Sequence, residues 1–176
     1  MIHLYCGDGK GKTTAALGLS LRALGNGVPV VLVQFLKMRG SGEVRTLRSL
    51  GAAVFRGKAC GSFVSRMTVE ERARTKEISD GNLAAALLEC ARRGAGGRVL
   101  LVLDEVCAAW NESLVERGEV VSLVERAKGR GDGMELVLTG RNPPAFMLAA
   151  ADYVTEMKKL RHPLDGGVPA RPGVEF

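Results

Sequence analysis

Eight residues constrain this chain more than any others: Gly7, Asp8, Gly9, Lys10, Gly11, Lys12, Thr13 and Thr14. They join an apolar run, Ile2–Cys6, to a helical pattern over residues 12–24. A glycine-rich turn between a strand and a helix points several backbone N–H groups inward. The positive end of the helix dipole adds to them, so the junction is an anion cradle. Lys12 places a point charge on bound phosphates, the Thr13 hydroxyl stands where Mg²⁺ is usually held, and Lys10 adds a second cation inside the loop. The spacing is unusual. In the common pattern G-x-x-x-x-G-K-[ST] the first glycine would fall at position 6, but Cys6 is there and glycine comes one place later, at Gly7. The loop is therefore shorter or differently closed, and phosphate binding alone does not say which chemistry follows.

What surrounds the loop alternates strand and helix. Val30–Phe35 is continuously apolar, as a strand covered on both faces is. A glycine-rich segment at 39–42 leads to a short helix ending near Leu50, and residues 52–56 form a weaker strand. Thr68 and Glu71 fit a capping box that opens a long helix running to about Arg93, with a break expected near Gly81. Residues 98–105 are the strongest strand, followed by a helix over 115–128 and a strand over 135–140. Asn142 is expected to cap a short helix that begins with proline, ahead of a last strand at 152–157 and a loop-like tail at 161–176. This order predicts a parallel α/β sheet of about six strands with helices on both faces, in a single domain of 176 residues. Ligands of such sheets sit at the carboxyl ends of the strands. The loop, Gln34 to Lys37, Asp104-Glu105 and residues 139–142 should all gather there.

Charge and cysteine usage narrow the class. The excess of +6 favours a polyanionic partner, but the basic residues are dispersed. With five Phe, one Trp and two Tyr there is no basic tail or stacking platform for single-stranded nucleic acid, so no nucleic-acid partner is expected. No apolar run is long enough to span a bilayer and no leader pattern opens the chain, so no membrane association is expected. Cys6, Cys60, Cys90 and Cys107 are scattered without metal-ligand spacing, as reduced thiols of a cytoplasmic protein would be.

Asp104 and Glu105 close an apolar strand, where an acidic side chain can hold Mg²⁺ directly or through water; the sequence leaves open which of them does. Arg141 ends another strand and can reach a phosphate. Arg22 lies ten residues beyond Lys12, and for it an approach to the nucleotide and a solvated position are both open readings. His3 and His162 have no partners at ligand spacing and read as structural.

Taken together, the stretches YCGDGKGKTTAALGLSLRALGNG, VVLVQFLK, LLVLDEV, LVLTGR and AADYVTEMKKLRHPLDGGVPARPGVEF resemble the ATP:corrinoid adenosyltransferases of the cob(I)alamin or cob(I)yrinic acid a,c-diamide type. The match covers nearly the whole chain in order, and the short G-x-G-K-G-K-T-T loop is specific to that family. The resemblance implies a P-loop, RecA-like fold and a reaction in which Co(I) attacks the ribose C5′ of ATP and triphosphate leaves. It implies that residues 10–14 contact the phosphates, that Thr13 and Glu105 arrange Mg²⁺, that Arg22 and Arg141 touch the nucleotide, and that Phe63 faces the corrinoid. It also implies a reduced flavoprotein as electron donor and a homodimer. Two departures stand out. The chain has GSFVSR where many members carry G-F-T-W, which predicts an altered corrinoid-facing surface. It also begins at the first strand, so a covering segment found in some members is expected to be lacking, with a more open site. An ordinary P-loop ATPase or kinase is the competing reading, and it would release ADP.

Overall fold

Alternation along the strands organises the molecule. In β2 (Val30–Phe35), Val31, Val33 and Phe35 enter one core cluster while Val30 and Leu32 enter the other. In β4 (Val99–Asp104), Leu101 and Leu103 face the first cluster, and Leu100 and Val102 the second. A strand buried on both sides in this way must lie inside a sheet with helices on both faces. The computed structural model describes residues 1–38, 42–95, 97–129, 133–171 and 173–174. Its sheet has the order β3-β2-β4-β5-β1-β6, with every pairing parallel. Here β1 is Ile2–Cys6, β3 Ala53–Gly57, β5 Met134–Thr139 and β6 Tyr153–Glu156. Strand β5 separates the loop strand β1 from the acidic strand β4, as expected of a RecA-like arrangement.

The helices α1 (Lys12–Gly25) and α2 (Gly42–Ser49) cover one face through Ala16, Leu17 and Leu47. The other face carries α3 (Val69–Gly94), α4 (Val106–Asn111), α5 (Arg117–Lys128) and α6 (Ala145–Ala150). No helix among the described residues is long and apolar enough to cross a membrane. Of the glycine-rich segment at 39–42, residues 39–41 lie outside the described residues, as do 172, 175 and 176 of the tail.

Three expectations are corrected and one element is added. The long helix passes Gly81 without a break, because Thr75, Ser79, Leu83, Ala86 and Cys90 bury one continuous stripe. Helix α4 was not foreseen; it is six residues long and begins directly after the acidic pair. Asn142 does not cap α6: it sits at φ 49°, and Pro144 is the cap residue, in extended conformation. A residue that precedes proline is kept out of the helical region, so Pro143 cannot start a helix and the chain turns before α6 begins. The tail is not wholly irregular either, since Pro163–Gly166 forms a 3-10 turn.

The capping box at the start of α3 is formed on both sides. Thr68 Oγ1 accepts from the Glu71 N–H at 3.2 Å, and the Glu71 carboxylate accepts from the Thr68 N–H at 2.9 Å. Thr68→Ala removes the first of these and should cost about 1 kcal/mol of stability. For a domain of this size, thermal unfolding should show a midpoint lower by about 2–4 °C.

Candidate functional site

The loop begins where β1 stops. Cys6 is the last strand residue and is buried, whereas Gly7 has φ 99° and Gly11 φ 119°, backbone states suited to glycine. The late first glycine is therefore the residue that turns the chain off the strand. At Gly9 the limit is space, since a Cβ there would meet Met157 O at 2.7 Å. The end of β6 is what presses on it. Gly9 N–H donates to Met157 O at 2.7 Å and Met157 N–H to Cys6 O at 2.8 Å, while Lys159 N–H donates to Asp8 Oδ1 at 3.1 Å. That last bond is the largest reason the Asp8 carboxyl lies below its usual range. Arg141 reaches the same loop, donating to Asp8 O at 3.4 Å.

Lys12 is buried and spans the loop, its ammonium donating to the carbonyls of Gly7 and Gly9 at 2.7 Å each. Burial lowers its pKa, and the nearby Glu105 carboxylate pulls it back up.

Parity and register build the floor of the site. Gln34, Asp104 and Thr139 share the parity of Leu32, Val102 and Val137, so all three face α1. Gln34 pairs with Asp104 across the sheet, and Thr139 follows one strand further on. Asp104 is fully buried and accepts four hydrogen bonds. Its Oδ1 takes the hydroxyls of Thr13 (2.8 Å) and Thr139 (2.7 Å), and its Oδ2 takes Lys37 Nζ (2.6 Å) and Gln34 Nε2 (3.3 Å). Thr139 also accepts from the Glu105 N–H at 2.9 Å, which helps hold Glu105 at φ 63° and turns its side chain toward the cleft. Burial first, then the Asp104 charge, raises the Glu105 pKa; Lys37, Lys12 and Arg141 oppose this. Behind it the Cys107 thiol is pushed up to about 12, mainly by burial, and so stays protonated.

These groups open into a cleft of about 980 Å³. Residues 8–14, Glu105 and Arg141 line it together with Lys37, while Asp104 lies beneath the surface. Arg22 is exposed on α1 and Phe63 is 78 % exposed; both are outside the lining. Glu43 and Arg45 of α2 also line the cleft, and so does His162 of the tail, against the expectation of a structural role. The position of α2 after a central strand could have pointed to the first two. Nothing in the sequence around His162 could.

Thr13, Asp104 and Glu105 offer the hard oxygen donors that Mg²⁺ takes. The Lys37 ammonium between Thr13 and Asp104 shows that this spot accommodates positive charge. No cluster of three or more His, Cys, Asp or Glu among the described residues could hold a metal ion.

The family model for "ATP:corrinoid adenosyltransferase BtuR/CobO/CobP" matches residues 1–176. The corrinoid adenosyltransferase of Pseudomonas aeruginosa is 33 % identical over 177 residues, an overlap covering 100 % of this chain and 83 % of that protein. The corrinoid adenosyltransferase CobA of Salmonella typhimurium is 30 % identical over 178 residues, covering 100 % and 85 %. Among solved structures, the cytoplasmic domain of the type VII secretion ATPase EccC of Thermomonospora curvata superimposes with a TM-score of 0.45 at 18 % identity. That overlap covers 97 % of this chain and 23 % of that one, and is too loose to bear on function.

Proposed function

The chain belongs to the ATP:corrinoid adenosyltransferase family, and on that premise we propose that it transfers the 5′-deoxyadenosyl group of ATP to the Co(I) of a corrinoid, releasing triphosphate. The observation that carries this reading is the end-to-end family match of a chain whose short glycine loop opens into a cationic cleft. In the reaction the Co(I) electron pair attacks C5′, the Co–C bond forms, and the C5′–O bond breaks with its electrons leaving on the triphosphate. The main demand on the protein is then to neutralise a long polyanion as it departs. Lys10, Lys12, Lys37, Arg45 and Arg141 line the cleft against Asp8, Glu43 and Glu105, a balance suited to that task.

Within this reading Lys12 and the loop N–H groups would bind the triphosphate. Arg141 would add charge at its side, and Arg22, one helical turn beyond Gly18 of the lining, would add charge further out. Thr13, Glu105 and Asp104 would hold Mg²⁺, with Asp104 also accepting from the Thr13 hydroxyl. A bound Mg²⁺ would supply positive charge to the leaving group. Phe63 would present its ring to the corrinoid, a reduced flavoprotein would deliver the electron that makes Co(I), and the enzyme would work in the cytoplasm as a homodimer.

The test is anaerobic incubation with ATP, Mg²⁺ and a chemically reduced corrinoid. The absorbance change of Co–C bond formation should appear, with one triphosphate per corrinoid consumed and no ADP. Stoichiometric ADP would instead mean an ordinary phosphoryl-transfer enzyme.

A further inference from the structure

The floor of the cleft already holds a cation of the protein's own. Leu36, at φ 60°, turns the chain where β2 ends, and Lys37 follows it back over the sheet edge. Its ammonium lies 2.6 Å from Asp104 Oδ2 and 3.1 Å from Thr13 Oγ1. A carboxylate offers about four lone-pair sites, and the four donors on Asp104 take them all. Beside this cluster Gln34 Oε1 is buried without a donor among the described residues. Take Lys37 away, and Thr13, Asp104 and Glu105 become a doubly negative oxygen set, which is what a divalent cation binds. Lys37 keeps 30 % of its side chain exposed, and its long flexible stem lets the ammonium move while the backbone stays.

We propose that Lys37 is the site's resident counter-cation: it keeps free divalent cations off the Thr13–Asp104 oxygen pair and yields that place only to a cation arriving with nucleotide phosphates, which then receive its ammonium. The energetics run in one direction. A lone dication would have to displace a charge-assisted hydrogen bond and leave the ammonium unpaired nearby. A dication arriving on triphosphate brings enough negative charge to accept both. Lys37 is then a positioning residue that enforces joint loading of metal and nucleotide. This rests on the reading of the cleft as an ATP and Mg²⁺ site.

The experiment uses Mn²⁺ as probe and the full chain without nucleotide, following the electron paramagnetic resonance signal of the free ion. The wild type should leave that signal close to its value in buffer. Lys37→Met should bind one Mn²⁺ per chain at least tenfold more tightly, Lys37→Arg should exclude the ion as the wild type does, and adding Asp104→Asn to Lys37→Met should abolish the gain. Where Lys37→Met fails to fold, Lys37→Gln, which lacks the charge but can still donate a hydrogen bond, replaces it with the same expectation. The proposal is overturned if the nucleotide-free wild type takes up Mn²⁺ as strongly as the variant, or if removing the charge gains no Mn²⁺ binding. Calorimetric binding of MnATP to the wild type separates the two readings. Its absence defeats the ATP site and this proposal together, while its presence with Lys37-independent Mn²⁺ uptake defeats this proposal alone.

Discussion

Lys12→Ala should lower adenosyl transfer about a thousandfold while leaving the far-ultraviolet spectrum and the unfolding midpoint near those of the wild type. An ammonium has three donors, and the carbonyls of Gly7 and Gly9 occupy two of them. The third is left for a phosphate oxygen, held in place by the other two with little freedom to lose on binding. A thousandfold in rate is about 4 kcal/mol, within reach of one buried charge acting on a leaving polyanion. The fold should survive because the loop is moored elsewhere. Gly9 N–H to Met157 O, Met157 N–H to Cys6 O and Lys159 N–H to Asp8 Oδ1 do not involve the lysine. ATP titrations on the same variant separate binding from chemistry: a lysine that acts on the leaving group changes kcat as well as affinity. A variant that keeps more than a tenth of its turnover would remove Lys12 from the mechanism.

Much of this was legible in sequence because it is local. The strand before the loop, the glycines within it and the capping box at Thr68 and Glu71 are fixed by neighbours a few residues away. Which face each strand residue takes came from the structure: Gln34, Asp104 and Thr139 each continue the alternation of their strands toward α1. What parity cannot give is register and strand order. That Asp104 lies between Gln34 and Thr139 depends on β4 sitting between β2 and β5, a pairing set by packing across the whole sheet. The sequence therefore presented Asp104 and Glu105 as equivalent metal candidates, while the structure separates them. Asp104 is sealed beneath four donors, and Glu105, turned through a left-handed residue, lines the cleft. His162 and Val174 reach the lining through a tail with no periodicity to read.

The sealed position of Asp104 leads to an expectation about stability that its charge alone would not give. Asp104→Ala removes the acceptor for four donors that differ in what they can do next. Lys37 is partly exposed and can turn to water, but Thr139 and Gln34 are buried and cannot. Each buried donor left without a partner costs about 1–3 kcal/mol, so with two of them the variant should lose about 2–6 kcal/mol in urea unfolding. Thr139 would also become free to shift, and with it the Glu105 N–H that it accepts, so activity should fall with stability. Asp104→Asn should behave differently. Its carbonyl can still accept from Thr13 and Thr139. Its amide can donate to Gln34 Oε1, which is now without a donor, once the Gln34 amide turns over. Apart from the one Gln34 amide atom that is unpaired in either orientation, only the Lys37 contact has no substitute, and that group can be solvated. Asp104→Asn should therefore cost about 1 kcal/mol, the net worth of one hydrogen bond, and retain most of the stability that alanine loses. Equal losses in the two variants would show that the negative charge, and not the number of acceptors, holds the floor of the site together.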